Sequence, residues 1–211
     1  MTEVRAFAAL TIEKIDEAFC WKRQTGRRHS TKVATLHHRG AVTPMLDGHA
    51  ELTMTVLMTP DKANFSGNVH GGTLLKYLDE VAYACASRYA GQYVVTLSVD
   101  QVVFRQPVHV GELVTFLASV NYTGTTSMEI GIKVVTEDIR EKTVRHTNSC
   151  FFTMVALGED GKPVAVPPLN PKTPEQQRRF AQAYQRREIR RELEHRYSEL
   201  RAGNERLTAV K

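Results

Sequence analysis

Between two stretches that alternate apolar with polar residues lies one long helical pattern, and its apolar stripe restricts what this chain can fold into. Leu74, Leu75, Leu78, Val81, Ala82 and Cys85 recur at helical spacing, so at about 100° per residue they line one side of a helix that must be covered. Upstream, Leu52, Met54, Val56 and Met58 alternate with Glu51, Thr53 and Thr55 as in a strand, which Pro60-Asp61 ends. Downstream, strand-like runs extend from Tyr93 to Arg105, Glu112 to Tyr122, Ser127 to Glu137 and Thr143 to Leu157. Turn chemistry separates them at Gln106-Pro107 to Gly111, Asn121 to Thr125, Asp138 to Lys142 and Gly158 to Gly161. A strand, a helix and four strands bury their apolar faces most simply as an antiparallel sheet wrapped on the one helix, an α+β arrangement.

The flanks have another character. Residues 1–49 read as an N-terminal extension to which no role can be assigned, with Phe7, Leu10, Ile12, Ile15, Phe19 and Trp21 suited to one short helix. Residues 50–160 form the core domain. Residues 161–174 form a connector holding five of the eight prolines, and residues 175–211 read as a charged helix. In that helix Phe180, Tyr184, Leu193, Tyr197 and Leu200 lie near one face, and Glu192 and Arg196 make an i,i+4 pair.

No run approaches the roughly 18 apolar residues of a membrane span, so no membrane partner is expected. The three cysteines, Cys20, Cys85 and Cys150, are far apart with no CxxC pair; they predict neither a disulfide framework nor a zinc site, and fit a reducing cytoplasm. The net charge of +5 favours anionic partners, but the excess lies mainly in residues 21–39 and 178–201. Arg186-Arg187 and Arg190-Arg191 alternate with Glu188, Glu192, Glu194 and Glu199, the look of a solvated helix or an oligomer contact more than of a phosphate grip, which speaks against nucleic acid. The chain has no Gly-x-Ser-x-Gly elbow, Walker loop or dinucleotide fingerprint. His29, His37, His38 and His49 lack metal-ligand spacing, so no metal is expected.

The chemistry concentrates in Asn64 to Gly72 and the helix it opens. A helix N-terminus offers free N–H groups and the positive end of the dipole, so a carbonyl oxygen docked there is polarised; Gly71 and Gly72 let a substrate approach that backbone. The same Gly-Gly also serves as a tight helix entry with no ligand. Asp79, inside a mostly apolar helix, is a candidate base or a solvated flank residue. Asn68 suits holding water or a carbonyl, or simply shaping the turn, and His70 suits either a base or a structural role. Gly72 and Asp79 lie roughly 10 Å apart along the axis, too far for both to act on one carbonyl. If both serve one site, Asp79 must come from a second subunit whose helix runs antiparallel, which predicts a two-fold dimer with two composite sites.

These residues carry a resemblance. Pro60, Asn64, Gly67-Asn68-Val69-His70-Gly71-Gly72, Leu78-Asp79-Glu80, Phe104 to Glu112 and Gly124 to Glu129 stand in the order found in hotdog-fold acyl-CoA thioesterases, particularly the bacterial YciA-like and brain acyl-CoA hydrolase-like members. The match covers about Ala50 to Leu157. The resemblance implies a helix wrapped by a five-stranded sheet, edge-to-edge homodimers that assemble as trimers of dimers, and hydrolysis of acyl-CoA to free acid and CoA. It implies no metal or redox cofactor, coenzyme A being part of the substrate. By this resemblance Asp79, Asn68 and Gly72 are catalytic, facing each other across the dimer. Substrate binding falls to His70 and Gly71, to Arg88, Arg105 and Lys142 for the CoA phosphates, and to Thr126 and Ser127 for the pantetheine arm. The rival readings are a hotdog hydratase or dehydratase using His70 with Glu80, and a non-catalytic acyl-CoA-binding oligomer.

Overall fold

The computed structural model describes residues 49–208, with side chains as far as Arg201. The expected N-terminal extension and Cys20 therefore lie outside the described residues, apart from His49 at its end. Strand β1 (Glu51–Leu57) leads through a short 3-10 turn at Pro60–Lys62 into the helix α1 (Gly71–Ala90). Strands β2 (Tyr93–Val99), β3 (Leu113–Thr123), β4 (Ser127–Asp138) and β5 (Thr143–Leu157) follow, and the helix α2 (Pro174–Thr208) closes the described chain. The five strands form one antiparallel sheet in the order β1-β3-β4-β5-β2, as the α+β reading requires.

α1 is built from good helix formers and ends where Gly91 takes the left-handed conformation, φ 64°, its N–H closing on the Ser87 carbonyl. Leu74, Leu78, Val81, Ala82, Cys85 and Ala86 are buried against Val114, Phe116, Ile130, Ile132, Cys150, Phe152 and Met154 of the sheet. Leu75, expected in that stripe, is instead exposed. It stands one turn from Asp79 and two from Tyr83, so α1 carries a second, uncovered flank in which an acid sits between two apolar side chains.

The sheet differs from expectation at β2. A run from Tyr93 to Arg105 was predicted, but the ladder to β5 slips between Thr96 and Ser98 and stops at Val99. Beyond it the backbone bonds to β5 through Asp100 N–H to Phe151 O and Arg105 N–H to Thr147 O. The Asp100 carboxylate is taken by Arg190 of α2 at 2.7 Å, and Pro107 has no N–H to extend a ladder.

α2 starts in a capping box: Thr173 Oγ1 accepts from Gln176 N–H, Gln176 Oε1 accepts in return from Thr173 N–H, and Pro174 takes the first helical position. It lies on the sheet face away from α1. There Arg186 and Arg190 converge on Glu129, which is 2% exposed, at 2.6 and 2.9 Å, and the Arg186 guanidinium stacks on Phe151. These arginines hold the helix to its own sheet; they are not the solvated face anticipated from their spacing with glutamates. Glu129→Ala leaves the Arg186 guanidinium against the sheet without a carboxylate and Arg190 with Asp100 alone, so unfolding stability should fall by about 3 kcal/mol, read by urea denaturation, whereas Glu192→Ala on the exposed part of α2 should change it little.

Candidate functional site

The loop from Asn64 to His70 is folded by its own polar groups. Asn64 Oδ1 accepts from Ser66 N–H at 2.9 Å and Asn68 N–H at 3.2 Å, and Asn64 N–H donates to Asn68 O. Gly67, at φ 78°, supplies the left-handed turn. The loop is then stitched to its surroundings by Val69 N–H to Val108 O, His70 N–H to Lys62 O and an antiparallel bridge between Asn68 and His109. Phe65 at its tip is fully exposed.

His70 caps α1. Its Nδ1 accepts the Gly72 N–H at 3.0 Å, the work usually done by Ser, Thr, Asp or Asn at that position. This engages the amide expected to polarise a carbonyl, while the Gly71 N–H, first in the helix, has no carbonyl one turn back to bond. A Cβ on Gly72 would stand 3.1 Å from His70 Nδ1 and one on Gly71 would stand 3.8 Å from the Phe104 ring, so both glycines keep this corner open to close approach.

Asp79 lies two turns on, exposed, and its Oδ1 accepts a hydrogen bond from Thr96 Oγ1 at 2.6 Å. Thr96 therefore fixes the carboxylate from β2, an edge strand of the sheet. Nothing in the alternation of β2 singled it out, since a threonine suits any strand; its signal is a hydroxyl next in phase after the buried Val94 and opposite Met154, on the side that faces α1.

The remaining expected binders do not meet within one protomer. Arg105 adjoins Phe104 and thus the α1 N-terminus. Arg88 sits near the far end of α1, where it bonds His49 Nδ1. Ser127 opens β4 and Thr126 lies in the bend just before it, Thr126 O accepting from Ala156 N–H. Lys142 lies in the hairpin at the other end of β4, roughly 35 Å from Ser127, as a turn residue with φ 53°. Glu80 forms an exposed ion pair with Lys76, apart from His70. The thiols of Cys85 and Cys150 are buried and unpaired, and burial pushes both up to about 12, so neither acts as a nucleophile.

The edge beside Asp79 is open. Leu75 and Tyr83 on α1, Tyr93, Leu97 and Val99 on β2, and Val103 and Phe104 after it are all exposed. A free strand edge flanked by so many apolar side chains is a surface suited to another chain.

A family model described as the thioesterase superfamily matches residues 66–143. Protein VdlD of Helicobacter pylori is 53% identical over 140 residues, which span 66% of this chain and 80% of that protein. The uncharacterized acyl-CoA thioester hydrolase YkhA of Bacillus subtilis is 33% identical over 127 residues, 60% of this chain and 74% of its own length. Among solved structures, the acyl-CoA hydrolase of Staphylococcus aureus in complex with butyryl coenzyme A and coenzyme A superposes with a TM-score of 0.65 at 30% identity, covering 73% of this chain and 96% of that one. In further structures of that hydrolase an asparagine, an aspartate and a threonine are each replaced by alanine. Along its chain these stand at intervals of 15 and 17 residues, the intervals that separate Asn64, Asp79 and Thr96 here. The sequence reading pairs Asp79 with Asn68, four residues further along the same loop.

The capping role of His70 has a measurable consequence. His70→Ala should lower thermal stability by about 1 kcal/mol and His70→Asn should restore most of it, since asparagine offers an equivalent acceptor.

Proposed function

This chain belongs to the hotdog-fold acyl-CoA thioesterases of the thioesterase superfamily, and on that premise we propose that it hydrolyses acyl-CoA to a free carboxylic acid and CoA at a site shared by two protomers. The observation that carries the reading is the carboxylate of Asp79 on α1, held by Thr96 of the edge strand β2 at a fixed distance from its own helix N-terminus. A second copy placed edge to edge at β2, its α1 antiparallel, would cover the exposed apolar flank and bring its Asp79 to this N-terminus.

In this reading the thioester oxygen docks at the Gly71 and Gly72 N–H groups, the latter exchanging the His70 imidazole for substrate. Water attacks the carbonyl carbon while the partner's Asp79 takes its proton. The tetrahedral oxyanion is stabilised by the helix-end amides; its collapse breaks the C–S bond, and the CoA thiolate leaves with the proton returned from Asp79. Asn64 Nδ2, whose Oδ1 is already committed to the loop, points to that side chain as the amide that orients water or carbonyl, with Asn68 shaping the loop beside it. Thr96 orients the base. The same antiparallel pairing would return the partner's Arg88 toward Arg105, so the CoA phosphates would meet basic groups from both chains. Direct attack by Asp79 is the other chemical route to the same products.

The hydratase alternative needs His70 and Glu80 together, and here one caps the helix while the other pairs with Lys76. Assembly beyond a dimer into a trimer of dimers, and a cytoplasmic setting, are part of the same proposal; among the described residues no helix is long and apolar enough to cross a membrane.

Thiol release from acyl-CoAs of graded length should be rapid for the natural chain and slowed about a thousandfold by Asp79→Asn. Thr96→Val should slow it about tenfold with KM nearly unchanged. Mixing inactive Asn64→Ala with inactive Asp79→Ala should restore up to about a quarter of the activity, because half of the dimers are mixed and each of those has one intact site. Mixtures that stay dead would place both groups within one protomer.

A further inference from the structure

We infer that Glu112 is a positioning residue for the Asn64–Gly72 loop, acting through the turn at residues 107–112. Only its kinetic consequence rests on the thioesterase reading.

Glu112 is 4% exposed, at a point where a carboxylate has no reason to be unless something holds it. Its Oε2 accepts from His109 N–H at 2.7 Å and from Arg145 Nη2 of β5 at 2.7 Å, and the His109 ring lies 3.4 Å from the other oxygen. The same Nη2 donates to Pro107 O at 2.9 Å. One ion pair therefore ties two points of the turn, Pro107 and His109, to the start of β5. The base of the turn is bolted separately to the end of β1, by Met58 N–H to Glu112 O at 2.9 Å and Gly111 N–H to Met58 O at 2.7 Å.

What the turn carries is the candidate site. Val69 N–H bonds Val108 O at 2.8 Å and Asn68 bridges His109, so the turn is the track on which the loop lies. Position passes from β5 through Arg145 and Glu112 to Val108 and His109, then to Asn68 and Val69, and so to His70 and the two glycines. Burial pushes the Glu112 carboxyl up, but the hydrogen bonds from Arg145 and His109 outweigh it and hold the group below the usual carboxylate range, so the anion is the form that does the tethering. A neutral amide of the same size accepts more weakly and has no charge for Arg145 to meet.

The test compares Glu112→Gln, Glu112→Asp and Arg145→Lys with the natural chain by amide hydrogen exchange and steady-state kinetics. Glu112→Gln should speed exchange at Val69 and His70 by about tenfold, while amides in the β3–β4 ladder, such as Phe116 and Val134, keep their protection. It should also lower kcat by about tenfold with KM within about twofold, and Glu112→Asp should recover part of both effects. Unchanged exchange at Val69 overturns the inference. So does a loss of protection spread equally over the β3–β4 ladder, which marks Glu112 as a general stabiliser. Should Glu112→Gln fail to fold, Arg145→Lys, which keeps a charge but replaces the Nη2 that meets both Glu112 and Pro107 by a shorter ammonium, must show the same local loosening or the inference fails. Faster exchange at Val69 in a chain that releases no thiol from any acyl-CoA would sink the thioesterase reading and leave the positioning role standing.

Discussion

The structure depends on the burial of one face of α1 against the curved sheet. Leu74, Leu78, Val81, Ala82, Cys85 and Ala86 are almost wholly removed from water, and replacing a leucine so placed by alanine costs about 2–5 kcal/mol in comparable cores. Because that face is locked by packing, everything else on the helix is locked with it: the N–H groups at its start, the Asp79 carboxylate two turns on, and the uncovered flank of Leu75 and Tyr83. A rigid rod with its positive end and its acid roughly 10 Å apart cannot bring them to the same carbonyl. The rigidity that makes the core stable also fixes that separation.

Around this core, buried charge places the peripheral elements where apolar packing alone would leave them loose. On the outer face Glu129 gathers Arg186 and Arg190 and fixes α2, whose second arginine also reaches Asp100 where β2 ends. At the sheet end Glu112 gathers Arg145 and the His109 N–H and fixes the turn beneath the loop. Removing one partner from such a cluster leaves an uncompensated charge, whereas the intact cluster contributes little net stability; its effect lies in geometry. The two clusters therefore act as registration pins between a stable sheet and segments with few apolar contacts of their own.

Much of this was legible beforehand. The strand alternations, most of the helical stripe and the turn at Asp138 to Lys142 are local, and local sequence carries them. The end of β2 at Val99 was not legible, because Val102 and Val103 continue a strand-like pattern and only the partner ladder and Arg190 decide where pairing stops. The task of His70 was open between base and support because histidine is an uncommon cap; the structure puts its Nδ1 on Gly72 N–H. Thr96 went unseen because its significance is its partner, seventeen residues away in the chain and one hydrogen bond away in space.

By itself the sequence determined which segments are strand and helix, that one amphipathic helix needed a sheet around it, and that a Gly-Gly helix start and an internal aspartate lie roughly 10 Å apart along one helix. These follow from residue periodicity and fixed backbone rises, which need no knowledge of neighbours. Only the tertiary structure decided which side of α1 stays open, that Thr96 holds Asp79, that the arginines of α2 clasp the sheet, and that Glu112 underlies the loop. Those are pairings between residues remote in the chain, and a side chain's charge or hydroxyl does not name its partner until folding has brought the two together.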